Sequence, residues 1–509
     1  MAPGSSVSRY QHSWPHADLN VPCSSAALFR AADSAKCMQP LETDLVVPIE
    51  FNGYHRGIDP FEAHDDKTQV PLSRRRRRLF ARLSAVAGQA FAMQHRVSLF
   101  MLFIVGRRFR FLRWDRAGVI TTPSIDYYEN AQLLLDMIGR AFRLTDEALG
   151  LDPSATRLHP TDVDFLRMDV ASLYSPTDIS HAERNLEECE CQGSYTFEYV
   201  RSLFRSSLRG DWPRYRLQIV DGSGSRSFLV GEPIFCAGDM VGRGTRGYVA
   251  LDCRTGRFVW LKDVWRASFV ISETEGDVLH KLNCAGIENV PTLVCHGDIC
   301  EQRTFTGDFW EQRRQLLSSP VHQLLSSPSL TASIHTIPPA SPCRKKRKRP
   351  EGTQFVGSPS CGRATADPDC PLREHRHYRI VVEEVCMPLK NFQCGRQLLS
   401  IVLDCLRGES HLHKYRRILL TGFDKAHHQA ATSPQTQLLH RDISGGNILI
   451  YPKVICDKNG RHASLVWSGI LSDWELSKPV GTQEATTRAT QAERMVCVQT
   501  TSVTKQSPI

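Results

Sequence analysis

From Leu79 onward, apolar residues recur at Leu79, Leu83, Val86 and Ala90, the spacing of one face of a helix. The run that follows, VSLFMLFIVGRRFRFLRW, changes to strand character, and Gly106 places a turn between two strands. Upstream, Leu45 to Phe51 reads as one more strand, in a first sixty residues otherwise without periodicity. Arg108, Phe109, Arg110 and Phe111 alternate, which predicts one buried and one solvated face. The rival reading is a basic and aromatic surface for stacking on nucleic acid.

These patterns divide the chain. Residues 1–60 are poorly defined, and 61–215 are expected to form an N-terminal α+β domain. A strand-rich segment covers 216–300, and a further strand and helix segment covers 373–480. Between them, residues 301–372 are rich in Ser, Pro, Gln and Arg and repeat QLLSSP at 315–320 and 323–328, so they read as a disordered insert. Residues 481–509 read as a disordered tail.

At 509 residues and 41% hydrophobic content the chain can bury several cores. The longest apolar run, Val97 to Gly106, is about half the length that a membrane span requires, and no leader pattern opens the chain. The 17 cysteines have no paired CxxC units, and reduced thiols are expected. The net charge of +9 gathers in Arg74–Arg78 and Arg344–Arg349, which argues against general nucleic-acid coating. The second run, in CRKKRKRP, suits the acidic grooves of a nuclear import receptor, so a nuclear or nucleocytoplasmic location is expected. Ser319, Ser327, Ser341 and Ser358 each precede proline, and phosphates placed there would mask that run.

The chemistry lies in five elements in one order. In MVGRGTRGYVAL, Gly242, Gly244, Gly247 and Val249 make G-x-G-x-x-G-x-V, a loop whose amides can approach phosphate oxygens. Lys262 follows in the apolar strand FVWLKDVW, where it needs an anionic partner. Glu275 in SETEGDVLHKL is the first choice of helix carboxylate and Glu273 the second. In LLHRDISGGNILI, His440, Arg441 and Asp442 precede Asn447 with the H-R-D-x-x-x-x-N spacing. Asp442 is placed to take the proton of a hydroxyl nucleophile, Asn447 to ligate magnesium and Arg441 to meet an acidic or phosphorylated segment, with His440 structural. Asp473 in LVWSGILSDWELSK stands where D-F-G would, with Trp474 for Phe and Glu475 for Gly.

HRDIS-xx-NI, GRGTR and SDWELSK together resemble the fungal-type protein kinases, as does the upstream stretch containing Arg113–Arg116. The resemblance covers roughly 45–300 and 373–495. It implies an α+β chain in which the N-terminal domain precedes a bilobal kinase-like fold, with 216–300 as the N-lobe and 373–480 as the hinge and part of the C-lobe. It also implies ATP and Mg2+, a protein Ser/Thr substrate, Lys262 on the phosphates, Asp442 as catalytic aspartate and Asn447 and Asp473 as metal ligands. The adenine-binding hinge would run from Glu383 to Met387.

Three departures qualify that expectation. Ser444 replaces the lysine many kinases carry two residues after the catalytic aspartate, although the family shares the serine. The segment 421–437 intervenes before the catalytic loop. After Asp473 no A-P-E anchor or apolar helix is found, so a C-terminally incomplete lobe is expected. The alternative is a pseudokinase that binds nucleotide or a protein partner. A nuclease-like reading of Asp44 and Glu50 lacks its lysine, because Asn52 stands there.

Overall fold

The structure is a computed structural model that describes residues 5–9, 23–30, 42–53, 57–62, 73–186, 195–210, 212–222, 224–267, 273–318, 335–337, 374–406, 438–456, 463–479 and 495–499. The basic run Arg344–Arg349, the four Ser-Pro sites and the segment 421–437 lie outside them.

The N-terminal sheet runs in the order β1 (Ser5–Arg9), β2 (Cys23–Arg30), β3 (Leu45–Asn52), β4 (Leu99–Val105), β5 (Arg108–Asp115) and β6 (Gly118–Thr121). Helix α1 (Arg74–Met93) connects β3 to β4, which pair in parallel. Ser73 caps it by accepting from Arg76 N at 3.3 Å, and Leu79, Leu83, Val86 and Ala90 are all buried. They pack against Phe103, Leu112 and Trp114 on one face of the sheet. On the other face, Leu134, Met137, Ile138 and Phe142 of the helix Ala131–Arg143 pack beside Leu102 and Phe109.

Local charge follows burial more than it follows the sequence alternation. Arg110 is not on a solvated face: it is buried, with Nε 2.7 Å from Asp59 and Nη1 2.7 Å from Thr122 O. Arg76, within the basic run, is likewise buried against Gly57 O and Glu62. Asp44 and Glu50 are spent on ion pairs with Arg157 and Arg82, which removes the geometric ground for the nuclease reading.

The second sheet is ordered β13 (Leu293–Arg303), β14 (His375–Val382), β12 (Phe258–Ala267), β11 (Arg246–Asp252), β9 (Gly224–Val230), β8 (Tyr215–Asp221) and β7 (Ala155–Arg157), and β10 (Phe235–Cys236) pairs with β11. It draws on residues from both sides of position 215. The sheet curls until β13 meets β8, so closely that a Cβ on Gly297 would lie 2.6 Å from Val220 O. Helix α2 (Glu275–Cys284) begins with a capping box in which Thr274 and Asp277 satisfy each other's backbone N–H. Helix α3 (Thr306–Ser318) starts where Asp115 accepts from Phe305 N and Thr306 N at 2.8 and 2.9 Å. Residues 301–318, taken from composition as the start of the insert, are therefore strand and helix: the backbone finds partners in β14 and on Asp115.

The third sheet joins the strand Arg184–Leu186, β17 (Ala463–Leu471), β16 (Ile448–Cys456) and β15 (Met387–Pro388). Helix α4 (Gly395–Leu406) lies on it so tightly that a Cβ on Gly469 would be 2.0 Å from Ile401 O. Val278, Leu279 and Leu282 of α2 share one core with Ile401, Ile450, Leu471 and Trp474, which fastens the second sheet to the third. Leu399 on α4 stays 63% exposed. Part of the expected disordered tail is a strand, β18 (Met495–Gln499), which pairs in parallel with β6 and antiparallel with His335–Ile337, itself inside the expected insert. Met495 to Val498 is a short apolar, valine-bearing run of the kind a sheet edge accepts.

Candidate functional site

Strand periodicity decides where the charges of β12 go. Lys262 and Asp263 are consecutive, so their side chains leave opposite faces of the sheet. The Lys262 ammonium sits 2.7 Å from Glu275 Oε2 and 2.7 Å from Asp473 Oδ1. Three separate elements thus meet at one nitrogen: a strand, the first turn of α2 and the residue two positions beyond β17. Of the two candidate helix carboxylates, Glu275 reaches Lys262, whereas Glu273 pairs with Lys281 on the surface. Burial works against the lysine's charge, but Asp473 and Glu275 outweigh it and hold its proton affinity above the ordinary range. Lys262 in turn holds Asp473 well below the usual carboxylate range. Glu275 is pushed upward by burial, and Lys262 offsets only part of that.

The glycine loop lies between β10 and β11. Gly242 and Gly244 have φ of 105° and 49°, a region that suits residues without a Cβ. A Cβ on Gly244 would come 2.3 Å from Arg116 Cζ, and Gly242 N donates to Arg116 O at 2.8 Å. Arg116 also donates to Asp239 O and Met240 O, so the N-terminal sheet braces this loop. Gly247 has a packing reason of its own: Trp260 fills the space a side chain would need, 2.3 Å from an ideal Cβ. Val249, opposite Trp260 in register, is buried in a core that includes Phe197, Leu465 and Val385.

The segment His440–Asn447 is tied to the residue before Asp473. His440 is fully buried; its Nδ1 accepts from Asp442 N at 3.2 Å and its Nε2 donates to Ser472 O at 2.9 Å, with the ring against Trp474. Ser472 N donates to Asn447 O at 2.8 Å, and Asn447 Nδ2 donates to Asp442 O at 2.8 Å. With the amide nitrogen spent, the amide oxygen is the atom Asn447 can offer a cation. Arg441 and Asp473 both take the left-handed conformation, with φ of 72° and 64°, which costs about 1 kcal/mol or more for each non-glycine residue. Arg441 and Ser444 are exposed.

Glu383, itself exposed, opens the connection after β14, where its N–H donates to Thr292 O at 3.0 Å. Two residues on, Val385 O accepts from the Tyr199 hydroxyl, which reaches it from the helix Glu198–Ser207.

Two participants were not singled out from the sequence. Arg243, between the two left-handed glycines, pairs with Glu475 and lies 3.6 Å from Asp473. Glu475 was noted only as a replacement for glycine; here it belongs to a trio with Glu275 and Asp473 whose ligand atoms lie within 4.8 Å of one another. The only signal was the arginine inside GRGTR, and its partner lies 232 residues away. The trio offers oxygen donors alone, which suits a hard divalent cation such as magnesium.

A family model, described as fungal protein kinase, matches residues 62–422, more than half of the 509, and ends before His440. No curated protein and no solved structure matches the chain.

Proposed function

The chain belongs to the fungal protein kinase family, and from that premise we propose that it transfers the terminal phosphate of ATP to a serine or threonine hydroxyl of a protein. The observation that carries this reading is the Lys262 ammonium held 2.7 Å from both Glu275 and Asp473. A cation fixed by two carboxylates is already positioned to take phosphate oxygens.

In this reading Asp442 orients the substrate hydroxyl and accepts its proton as the oxygen attacks the terminal phosphorus. The bond from that phosphorus to the bridging oxygen breaks, and ADP leaves with the electron pair. Lys262 binds phosphate, and Glu275 keeps the ammonium in place between visits of nucleotide. Gly242 and Gly244 let loop amides approach the phosphates, while Val249 and the Glu383–Met387 connection flank the adenine. Asn447 and Asp473 would hold magnesium, which supplies charge neutralisation at the phosphates. Arg441 meets an acidic or phosphorylated segment, and Ser444 stands beside the transferring group. In this reading the strands of 216–300 together with β14 make up the N-lobe, and the hinge and C-lobe residues follow from Glu383 to about 480; Arg344–Arg349 is proposed as a nuclear import signal.

A second reading is favoured by one contact. The Tyr199 hydroxyl occupies Val385 O in the proposed hinge, where an adenine amino group would donate, which fits a pseudokinase that holds a partner without transferring phosphate. Incubation with labelled ATP, magnesium and a mixed protein substrate separates the two. The transferase reading expects incorporation in the parent and its loss in Asp442→Asn; equal labelling by both chains removes Asp442 from the chemistry. No labelling by the parent, combined with nucleotide or partner binding, supports the second reading.

A further inference from the structure

Building on the nucleotide reading above, we propose that Arg243 is a second phosphate-binding cation, held by Glu475 until a nucleoside triphosphate takes it over. The main chain fixes where this side chain points. Arg243 O accepts from Trp265 N at 2.8 Å, and the preceding Gly242 N donates to Arg116 O at 2.8 Å. With the backbone tied on both sides, the guanidinium projects into the cluster around Asp473, where its Nη2 lies 3.6 Å from the same Oδ1 that Lys262 contacts at 2.7 Å. Two cations from different segments thus converge on one carboxylate oxygen.

Glu475 takes the other contact of Arg243, and both side chains are largely withdrawn from solvent, at 20% and 11% exposure. Burial works against the arginine's charge, and Glu475 and Asp473 more than restore it. Yet the guanidinium is not fully used: its Nε is buried without a hydrogen-bond partner. A buried donor left unpaired is unfavourable, and a planar guanidinium with an unspent N–H matches the several acceptor oxygens of a phosphate. Three carboxylates stand here against two cations, so phosphate entry and release of Glu475 are linked: the arginine exchanges one anion for another and keeps its charge satisfied.

The test compares calorimetric binding of ATP and of adenosine, both with magnesium, to the full chain. Arg243→Gln should lose at least tenfold in ATP affinity with adenosine affinity unchanged, and Arg243→Lys should recover part of the loss. Glu475→Gln, which frees the arginine, should bind ATP at least as tightly as the parent. The proposal is overturned if Arg243→Gln binds ATP as the parent does, or loses ATP and adenosine in equal proportion. It is also overturned if Glu475→Gln weakens ATP as much as Arg243→Gln, the mark of a purely structural pair. A parent that binds neither compound sinks the nucleotide reading itself. A parent that binds both, with only Lys262→Met losing ATP, sinks Arg243 alone.

Discussion

Lys262 and Asp263 are neighbours on one strand, and they build charge clusters of opposite character. On the Lys262 side, the ammonium, Arg243, Glu275, Asp473 and Glu475 keep some access to solvent, up to 26% at Asp473. On the Asp263 side, Asp263 meets His377 at 2.5 Å and Arg246 at 2.9 Å, and Arg379 meets Asp152 at 2.6 Å. Gln302 links His377 to Asp152, and Ser154 and Gln218 O take the other Arg379 contacts. Every charged side chain of that second cluster is at most 5% exposed. Its members come from β11, β12, β13, β14 and the loop before β7, so it binds the second sheet to the loop that leads out of the N-terminal domain. The difference teaches that charge alone does not mark a reactive site. The buried cluster has its anions closely matched, whereas the cleft cluster keeps access to solvent and carries a surplus carboxylate; an arginine Nε without a hydrogen-bond partner occurs in both, at Arg379 and at Arg243.

The strongest way to break the comparison is Arg379→Met. It leaves Asp152 buried without its main counter-ion, and the expected loss of stability is about 3–5 kcal/mol, read from denaturant unfolding. Removing the lysine next to Asp263 should behave differently. In Lys262→Met, Glu275 is already inclined to take up a proton and Asp473 keeps Arg243, so stability should fall by only about 1 kcal/mol. Phosphate transfer, or ATP binding where transfer is absent, should fall at least about 100-fold, near 2.7 kcal/mol. Equal unfolding costs for the two variants would erase the distinction between the clusters.

This contrast also measures what the sequence made legible. The H-R-D-x-x-x-x-N spacing and the strand around Lys262 are local patterns, and the structure brings His440–Asn447 next to Ser472 and Lys262 next to Asp473. The helix over Leu79–Ala90 and the two strands around Gly106 were readable because period and burial agree there. The Asp263 cluster was not readable, since its members span residues 152 to 379 and nothing in FVWLKDVW distinguishes the face of the lysine from that of the aspartate. Arg110 misled for the same reason: Asp59, 51 residues away, makes burial of its charge tolerable. Gly247 was read as a concession to phosphate, while its space is taken by Trp260.

A pH series sharpens the comparison from the buried side. His95 borders the second cluster, with Nδ1 accepting from Arg246 at 2.9 Å, and burial, with help from Arg246, lowers its pKa to about 3. The folded state therefore keeps the ring neutral, while the unfolded chain protonates it below about 6.5. Because the unfolded state binds the extra proton, stability falls as pH drops from about 6.5 toward 3, by about 1.4 kcal/mol at pH 5.5. His95→Gln should remove that share of the slope, seen as a parent-minus-variant difference in unfolding free energy that shrinks on acidification. A difference that stays constant from pH 7.5 to 5.5 would mean that the ring titrates in the fold as it does in the unfolded chain.

The smallest expected effect probes the boundary between a cluster and an ordinary surface pair. Glu273 and Glu275 are two residues apart, yet Glu273 meets Lys281 with both side chains about half exposed, at 44% and 51%. Water screens such a pair, and its ordering entropy offsets most of the attraction, so Glu273→Ala should change stability by no more than about 0.5 kcal/mol. Nucleotide affinity should not move at all, because Lys262 is held by Glu275, 8% exposed and 2.7 Å away. Glu275→Ala should weaken ATP binding by releasing the lysine, and the two variants measured side by side, by calorimetry and thermal melting, isolate the effect of position. If Glu273→Ala costs as much ATP affinity as Glu275→Ala, then the negative field of the helix start, and not the specific Lys262 contact, sets the site.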